Sequence, residues 1–428
     1  MARLAVDVAR DSVRNGGDCP DLDEVARRVE EMARAALSTR ARRVINATGV
    51  LLHTNLGRAP LGPSAAAALA ESARGYTSVE LDLTTGRRGA RGAFAESALT
   101  QLTGAESALV VNNCAAAVLL VLSALAVGRE VIVSRGELIE IGGGFRVPDV
   151  LARSGARLVE VGTTNKTRLS DYAKALDEAE RPAAILRVHQ GNFRQTGFVE
   201  RPELAALAAL AHARGVVLIK DLGGGALFDL APMGLSGEPV ARACVAAGAD
   251  VVCFSTDKIL GGPQGGAIVG RADLVEASRR DPLARALRLG RLPLVALEAV
   301  LASYLSNELD EVPTIAALRV PLDAVRARAT RWMVSLAERG ITSEVVPLTG
   351  AVGGGALAEA PLASVGLSLA TTDAPRVASS LRGAAMPVVA RISEGRLLFD
   401  ARTVMPDEDE ALVAAIVWAM TPTLPQTS

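Results

Sequence analysis

VVCFSTDKILGGPQGGAIVG, residues 251–270, sets one lysine between two short apolar runs and follows it with a loop of four glycines. VVCFS (251–255) and GAIVG (266–270) have the length and composition of buried strands. Lys258 then falls just past a strand end, where α/β folds deliver functional groups to a cleft. A lysine held there is costly unless it is exposed, paired or covalently used.

Working outward, short apolar runs alternate with helical segments from residue 107 onward. The strands read as SALVV (107–111), EVIVS (130–134), RLVEVG (157–162), AAILRVH (183–189) and VVLIKD (216–221), besides the two around Lys258. LSDYAKALDEA and PELAALAALAHARG read as helices between them. This is the pattern of a mostly parallel sheet covered on both faces. A long helix, 292–305, leads out of this part of the chain. Beyond it the pattern changes to helices, then the paired strands PVVARI and RLLFDAR, then a final helix. The expected organisation is a short N-terminal helical segment (1–43), a large α/β domain (44–300) that begins with an extended linker, and a smaller α+β domain (301–428). The first of these contains DLDEVARRVEEMARAAL, opened by a possible capping box from Asp21 to Glu24.

Composition narrows the function classes. Half of the 428 residues are apolar, yet the longest nearly apolar run, 114–127, is too short to cross a bilayer and reads as a buried helix. Asp7, Arg10 and Asp11 interrupt the N-terminus where a signal peptide needs apolar residues, so a soluble, cytoplasmic protein is expected. Four cysteines and three histidines are scattered without metal-ligand spacing. A formal net charge of −1 means that any nucleic acid must be met by a local basic surface.

Three stations give the lysine a chemical context. Lys258 followed by GGPQGG suits a Schiff base with pyridoxal 5'-phosphate, because glycines let the chain turn beside a bulky cofactor; the plain alternative is a solvated loop lysine. Asp221 ends VVLIKD upstream and would keep the pyridine nitrogen protonated; the alternative is a helix-capping aspartate. VVNNCAAAVLL (110–120) is a strand followed by polar residues that open a helix, a ready anion site. Asn113, Cys114 and Ala115 are its phosphate candidates, with Ser255 as a hydroxyl donor. The ordered set of phosphate cup, ring-nitrogen acid and lysine points to an aminotransferase-like enzyme.

Longer stretches carry a resemblance. RRVINATGVLLHTNLGRAPL (42–61), SRGELIEIGGGFRVPDV (134–150), EVGTTNKT (160–167), FSTDKILGGPQGGAIVG (254–270) and DPLARALRLGRL (281–292) closely resemble bacterial selenocysteine synthases, the L-seryl-tRNA(Sec) selenium transferases. The resemblance runs from about residue 42 to the C-terminus. It implies an aminotransferase-like (fold type I) pyridoxal phosphate enzyme that converts seryl-tRNA(Sec) and selenophosphate into selenocysteinyl-tRNA(Sec) through a cofactor-bound aminoacrylyl intermediate. It also implies a homo-oligomer, commonly a ring of dimers making a decamer. Lys258, once released from the cofactor, would carry the proton. Asp257 is marked as functionally important by the resemblance; a loop hydrogen bond that positions the lysine is the other reading.

Selenophosphate has to be held as an anion. Arg285 and Arg288 are three apart, so on a helix they share a face. Read alone they make a solvated arginine face. The resemblance makes them a clamp, joined by Arg88 of GRRGAR, with Arg87 and Arg91 as neighbours. His53 reads equally as a site residue and as a structural hydrogen-bonding group. His189 and Asn192 follow a strand toward the cofactor pocket, and Trp332 and Trp418 read as core.

Family members commonly open on a longer helical domain that grips tRNA. Residues 1–43 hold nine arginines and eight acidic residues, not a strongly basic surface. A truncated start, a different tRNA grip and a different substrate all remain open. The alternative function is a related β-eliminating pyridoxal phosphate lyase for a small amino acid or amino sugar, which would need no arginine clamp.

Overall fold

The computed structural model describes residues 1–38, 40–141, 144–357 and 360–421. Gly142 and Gly143 of the second family-like motif, and residues 422–428 of the expected smaller domain, lie outside the described residues.

The chain divides into two compact units, Met1–Val44 and Ile45–Ser428. The first is a pair of helices, Ala2–Arg14 and Leu22–Ser38. The second helix starts where the sequence signals it, with Glu24 N donating to Asp21 Oδ1 at 2.7 Å.

The second unit is built on two sheets. The larger has seven strands in the order Ser107–Val111, Gly266–Gly270, Val251–Ser255, Val217–Gly223, Pro182–Val188, Glu130–Ser134 and Arg157–Val161. Only Gly266–Gly270 runs antiparallel to its neighbours; the other pairings are parallel. Its central strands read as continuous apolar runs because helices cover both faces. On one face the helix Cys114–Ala126 packs with Val131, Leu186, Ile219 and Ile268. On the other, Leu169–Glu178 and Leu204–Ala213 place Tyr172 and Leu207 against Ile185 and Leu218. This is the mostly parallel, helix-covered α/β sheet that the alternation of runs implied.

The smaller sheet has six strands in the order Ile45–Ala47, Val388–Ser393, Arg396–Asp400, Pro361–Leu369, Ser343–Gly353 and Val50–Leu52. PVVARI and RLLFDAR pair antiparallel, as expected. RVINATGVLLHTN is not merely an extended linker: Ile45–Ala47 and Val50–Leu52 form the two edges of this sheet, each pairing parallel with its neighbour. The pairing partners lie some 300 residues away, so no local pattern announces them.

Trp332 is fully buried, but Trp418 is 53% exposed. The helix Asp409–Met420 buries Leu412, Val413, Ala415, Ile416 and Ala419, and Trp418 projects from the side facing away from them. Among the described residues no helix is long and apolar enough to cross a membrane.

Candidate active site

Every residue of strand Val251–Ser255 is buried, and the turn that follows is tightly stapled. Thr256 N donates to Gly265 O at 3.0 Å, Gly262 N to Thr256 O at 2.8 Å, and Gly261 N to Lys258 O at 2.9 Å. Ile259 N reaches across to Gly224 O at 3.0 Å. Lys258 is therefore fixed by backbone bonds on both sides, and it is only 5% exposed. Its amine has one long contact, to Gly223 O at 3.5 Å, and no ion pair among the described residues. Gly355, on the turn after strand Ser343–Gly353, lies directly over it. A Cβ there would stand 2.6 Å from Nζ and 2.8 Å from Cε, so any side chain would push the lysine aside, and the φ of 85° disfavours one.

Asp221 lies in the neighbouring strand, buried, and the other stations converge on it. Its Oδ1 accepts from Gly223 N at 3.1 Å and from Cys114 Sγ at 3.5 Å; its Oδ2 has no hydrogen bond among the described residues. Burial pushes the carboxyl up from its ordinary value, and the charges of Lys220 and Lys258 offset part of that. Cys114 is held as a thiol, its pKa raised well above the usual value by burial first and by the charge of Asp221 second.

Cys114 opens the helix Cys114–Ala126, and Asn113 caps it, accepting from Ala116 N through its side chain at 2.8 Å. Asn113's amide oxygen is thus occupied by the helix itself. The N–H groups of Cys114 and Ala115, in the first turn, have no intrahelical acceptor and point outward with the positive end of the dipole. Ser255 pairs in register with Gly266, and a Cβ on Gly266 would stand 2.2 Å from Asn113 O. One role of GGPQGG is therefore close packing against the N-terminal end of this helix. The structure brings Lys258, Asp221, Asn113, Cys114, Ala115 and Ser255 to one end of one sheet.

Asp257 is paired with Arg58, Nη1 to Oδ2 at 2.7 Å, and its carbonyl accepts from Ala59 N at 3.4 Å. His189 lies 3.4 Å, Nε2 to Oε2, from Glu238, a side chain with no solvent exposure. Neither Glu238 oxygen accepts a geometrically sound hydrogen bond among the described residues. His53 uses its carbonyl, accepting from Leu56 N and Arg58 N, while its Nδ1 is buried with no hydrogen-bond partner among the described residues. Gly191, just before Asn192, packs against the Gly355 carbonyl.

Arg58, Glu238 and Gly355 carried no role in the sequence reading. A positive φ of 63° at Arg58 is the structural sign of its special position. Gly355 sits in a triple glycine, Gly353–Gly355, the sequence mark of a close backbone approach.

The arginines form a second cluster beside the helix opening. The helix Pro282–Leu287 ends before Arg288, which is extended at φ −62° and ψ 142°. Arg285 and Arg288 therefore do not share a helical face. Asn112 N captures Leu287 O at 2.9 Å and Arg288 bridges to Val111, which pulls the chain out of the helix. Both arginines nevertheless line one cavity of about 350 Å³, with Arg91, Arg279 and Arg280. Arg279 is engaged by Glu96, both oxygens at 3.0 Å. Arg285 has no hydrogen bond or ion pair among the described residues. Arg88 and Arg288 meet at Glu80, at 2.8 and 3.2 Å, with Arg91 at 3.3 Å.

The sheet, with the buried lysine at its strand end, defines an α/β enzyme of the aminotransferase-like class. In fold the chain is similar to the solved D-glucosaminate-6-phosphate ammonia-lyase, at 22% identity and a TM-score of 0.62, over 89% of this chain and 96% of that one. The sequence is more specific: residues 44–405 match the profile of the L-seryl-tRNA selenium transferases, and the chain belongs to that family. It is 45% identical to the L-seryl-tRNA(Sec) selenium transferase of Moorella thermoacetica, over 98% of this chain and 91% of the relative. With that of Geobacter sulfurreducens it shares 44% over 97% and 91%. With that of Hyphomonas neptunium it shares 47% over 87% and 81%.

Proposed function

We propose that this chain converts L-seryl-tRNA(Sec) into L-selenocysteinyl-tRNA(Sec) with selenophosphate, using pyridoxal 5'-phosphate held on Lys258. The observation that carries the reading is the buried, unpaired Lys258 amine beside buried Asp221, in a chain of this family. The site fits the cofactor: among the described residues it offers an amine without a counter-charge, a carboxylate oxygen without a donor, N–H groups at a helix opening and a glycine roof.

When bound, pyridoxal phosphate supplies an electron sink for negative charge at the seryl α-carbon. Asp221 holds a proton on the ring nitrogen through its unbonded oxygen. The N–H groups of Cys114 and Ala115, with Ser255, hold the phosphate. Lys258 would take the proton from the seryl α-carbon and deliver it to the departing β-oxygen, which leaves as water. Asp257, charge-paired with Arg58, fixes the approach of Lys258. Arg88, Arg285 and Arg288 hold the selenophosphate anion by charge-assisted hydrogen bonds.

The protein works as a homo-oligomer, a ring of dimers up to a decamer. Tyr76, Leu81, Leu83 and Phe94 are exposed apolar side chains flanking the segment that carries Arg88, and they support burial of that segment against another copy. A cytoplasmic location accords with a tRNA substrate. The chain is organised as a larger domain at 44–300 and a smaller one at 301–428, the smaller sheet completed by Ile45–Ala47 and Val50–Leu52.

The test is conversion of labelled seryl-tRNA(Sec) to selenocysteinyl-tRNA(Sec) by the purified protein with selenophosphate. Serine elimination without selenium incorporation would put the β-eliminating lyase in its place.

A further inference from the structure

Residues 80–89 form a small hairpin. Gly89 N donates to Glu80 O at 3.0 Å, Asp82 N to Arg87 O at 2.9 Å, and Leu81 bridges Arg88. Its turn is fixed by Asp82, whose Oδ1 accepts from Thr84 N at 2.8 Å. The two arms present Glu80 and Arg88 to one another, and Arg91 and Arg288 close on the same carboxylate. Arg91 is also anchored to Leu289 O at 2.7 Å, which holds the 288–289 segment against the hairpin.

One carboxylate thus sits among three guanidiniums, and the cluster keeps a positive excess. Arg88 remains 78% exposed on its side chain, so the cluster is open to solvent. The three guanidiniums, the hydrogen bond from Arg88 foremost, hold the Glu80 carboxyl below its usual range, so it is charged at neutral pH. A carboxylate and a tetrahedral oxyanion ask for the same N–H donors.

We infer that Glu80 is an internal stand-in for the anionic co-substrate: its carboxylate occupies the Arg88–Arg288 site and has to give way when an oxyanion binds. The inference rests on the proposed arginine clamp. It assigns Glu80 two effects: the arginines stay gathered before the co-substrate arrives, and weaker or smaller anions are turned away. An abundant anion such as inorganic phosphate has to displace a tethered carboxylate and bear its repulsion. An oxyanion that gains further donors, such as Arg285, which has no partner among the described residues, overcomes it.

The sign of the effect separates this from a purely supporting role. If Glu80 competes, removing its charge tightens anion binding; if it only braces the arginines, removing it loosens binding. The experiment measures binding of inorganic phosphate to the holoenzyme by calorimetry, with its cofactor site already filled, for wild type, Glu80→Gln, Glu80→Ala and Arg288→Ala. The KM for selenophosphate is measured alongside. Both Glu80 variants are expected to bind phosphate roughly fivefold or more tightly, as loss of one repelling charge at contact range implies, with a lower KM for selenophosphate. Arg288→Ala is expected to bind more weakly than wild type. Glu80 variants with unchanged or weaker binding, while Arg288→Ala still weakens it, overturn the competitor role and leave the clamp standing. If Arg288→Ala binds like wild type, the clamp itself is lost and the inference with it.

Discussion

Arg58 Nη1 lies 2.7 Å from Asp257 Oδ2, tying the loop that leaves the six-stranded sheet to the residue before the buried lysine. Arg58 holds φ at 63°, a left-handed conformation that costs an L side chain about 1–2 kcal/mol. Such strain persists where surrounding contacts over-determine it, and here the return is a lysine positioned from both sheets.

Arg58→Ala leaves the Asp257 carboxylate, 8% exposed, without its guanidinium. A loss of about 1–3 kcal/mol in unfolding free energy is expected, together with reduced turnover. Arg58→Lys should recover part of both, because the contact is made by a single nitrogen. Urea unfolding of the three proteins measures it, and an unchanged midpoint in the alanine variant would show the pair to be incidental.

Gly355→Ala would put a methyl group 2.6 Å from Lys258 Nζ at a φ of 85°. The backbone cost is about 1–2 kcal/mol, which a domain of this size tolerates. Cofactor attachment is expected to fail while the fold survives. Borohydride fixation and peptide mapping decide it: the pyridoxyl label should sit on Lys258 in wild type and be largely absent in the variant. A normal label on Lys258 in the variant would mean that the glycine turn moves aside.

Asp221→Asn should keep the cofactor and lose nearly all turnover, because an amide cannot hold the ring nitrogen protonated. It also has a signature in the cofactor-free protein. Burial raises the Asp221 carboxyl in the folded state, so the folded chain binds that proton more tightly than the unfolded chain. This group's contribution to stability therefore declines as pH rises from the ordinary carboxylate value through the raised one. The cofactor-free variant should be more stable than wild type at neutral pH, with the gap closing in mild acid. Denaturant melts at the two pH values test this, and a gap that widens in acid would contradict it.

The large sheet was legible because each strand is a continuous apolar run bounded by turns, and burial on both faces needs nothing else. Lys258, Asp221 and the helix opening at Asn113 could be read for the same reason: they sit at strand ends, whose positions the runs mark. The edges of the smaller sheet were not legible, since Val50 and Leu52 pair with Ala351 and Gly353, a register set only by tertiary contact. Arg58, Glu80 and Glu238 escaped for a related reason. Each takes its meaning from a partner far along the chain, Asp257, Arg288 and His189 respectively. Spacing places Arg288 on a helical face because it cannot show that Asn112 and Val111 draw the residue into an extended pairing.

The arginines separate selenium transfer from simple elimination. Replacing Arg88, Arg285 or Arg288 by Ala removes charge-assisted hydrogen bonds to the anion, each worth about 1.5–3 kcal/mol. That corresponds to an apparent selenophosphate affinity about ten- to hundredfold weaker. The three need not fall equally. Loss of Arg88 or Arg288 also leaves Glu80 with one counter-charge fewer, so its repulsion of the incoming anion grows. Arg285 has no such tie, and its loss should lie at the lower end of the range. Attachment of the cofactor to Lys258 should change little in any of them, because the lysine turn is stapled by Gly224 and Gly265. Turnover against selenophosphate concentration at saturating seryl-tRNA(Sec) gives the comparison. Wild-type dependence in all three variants would remove the clamp, and an Arg285 effect larger than the other two would remove Glu80 from the explanation.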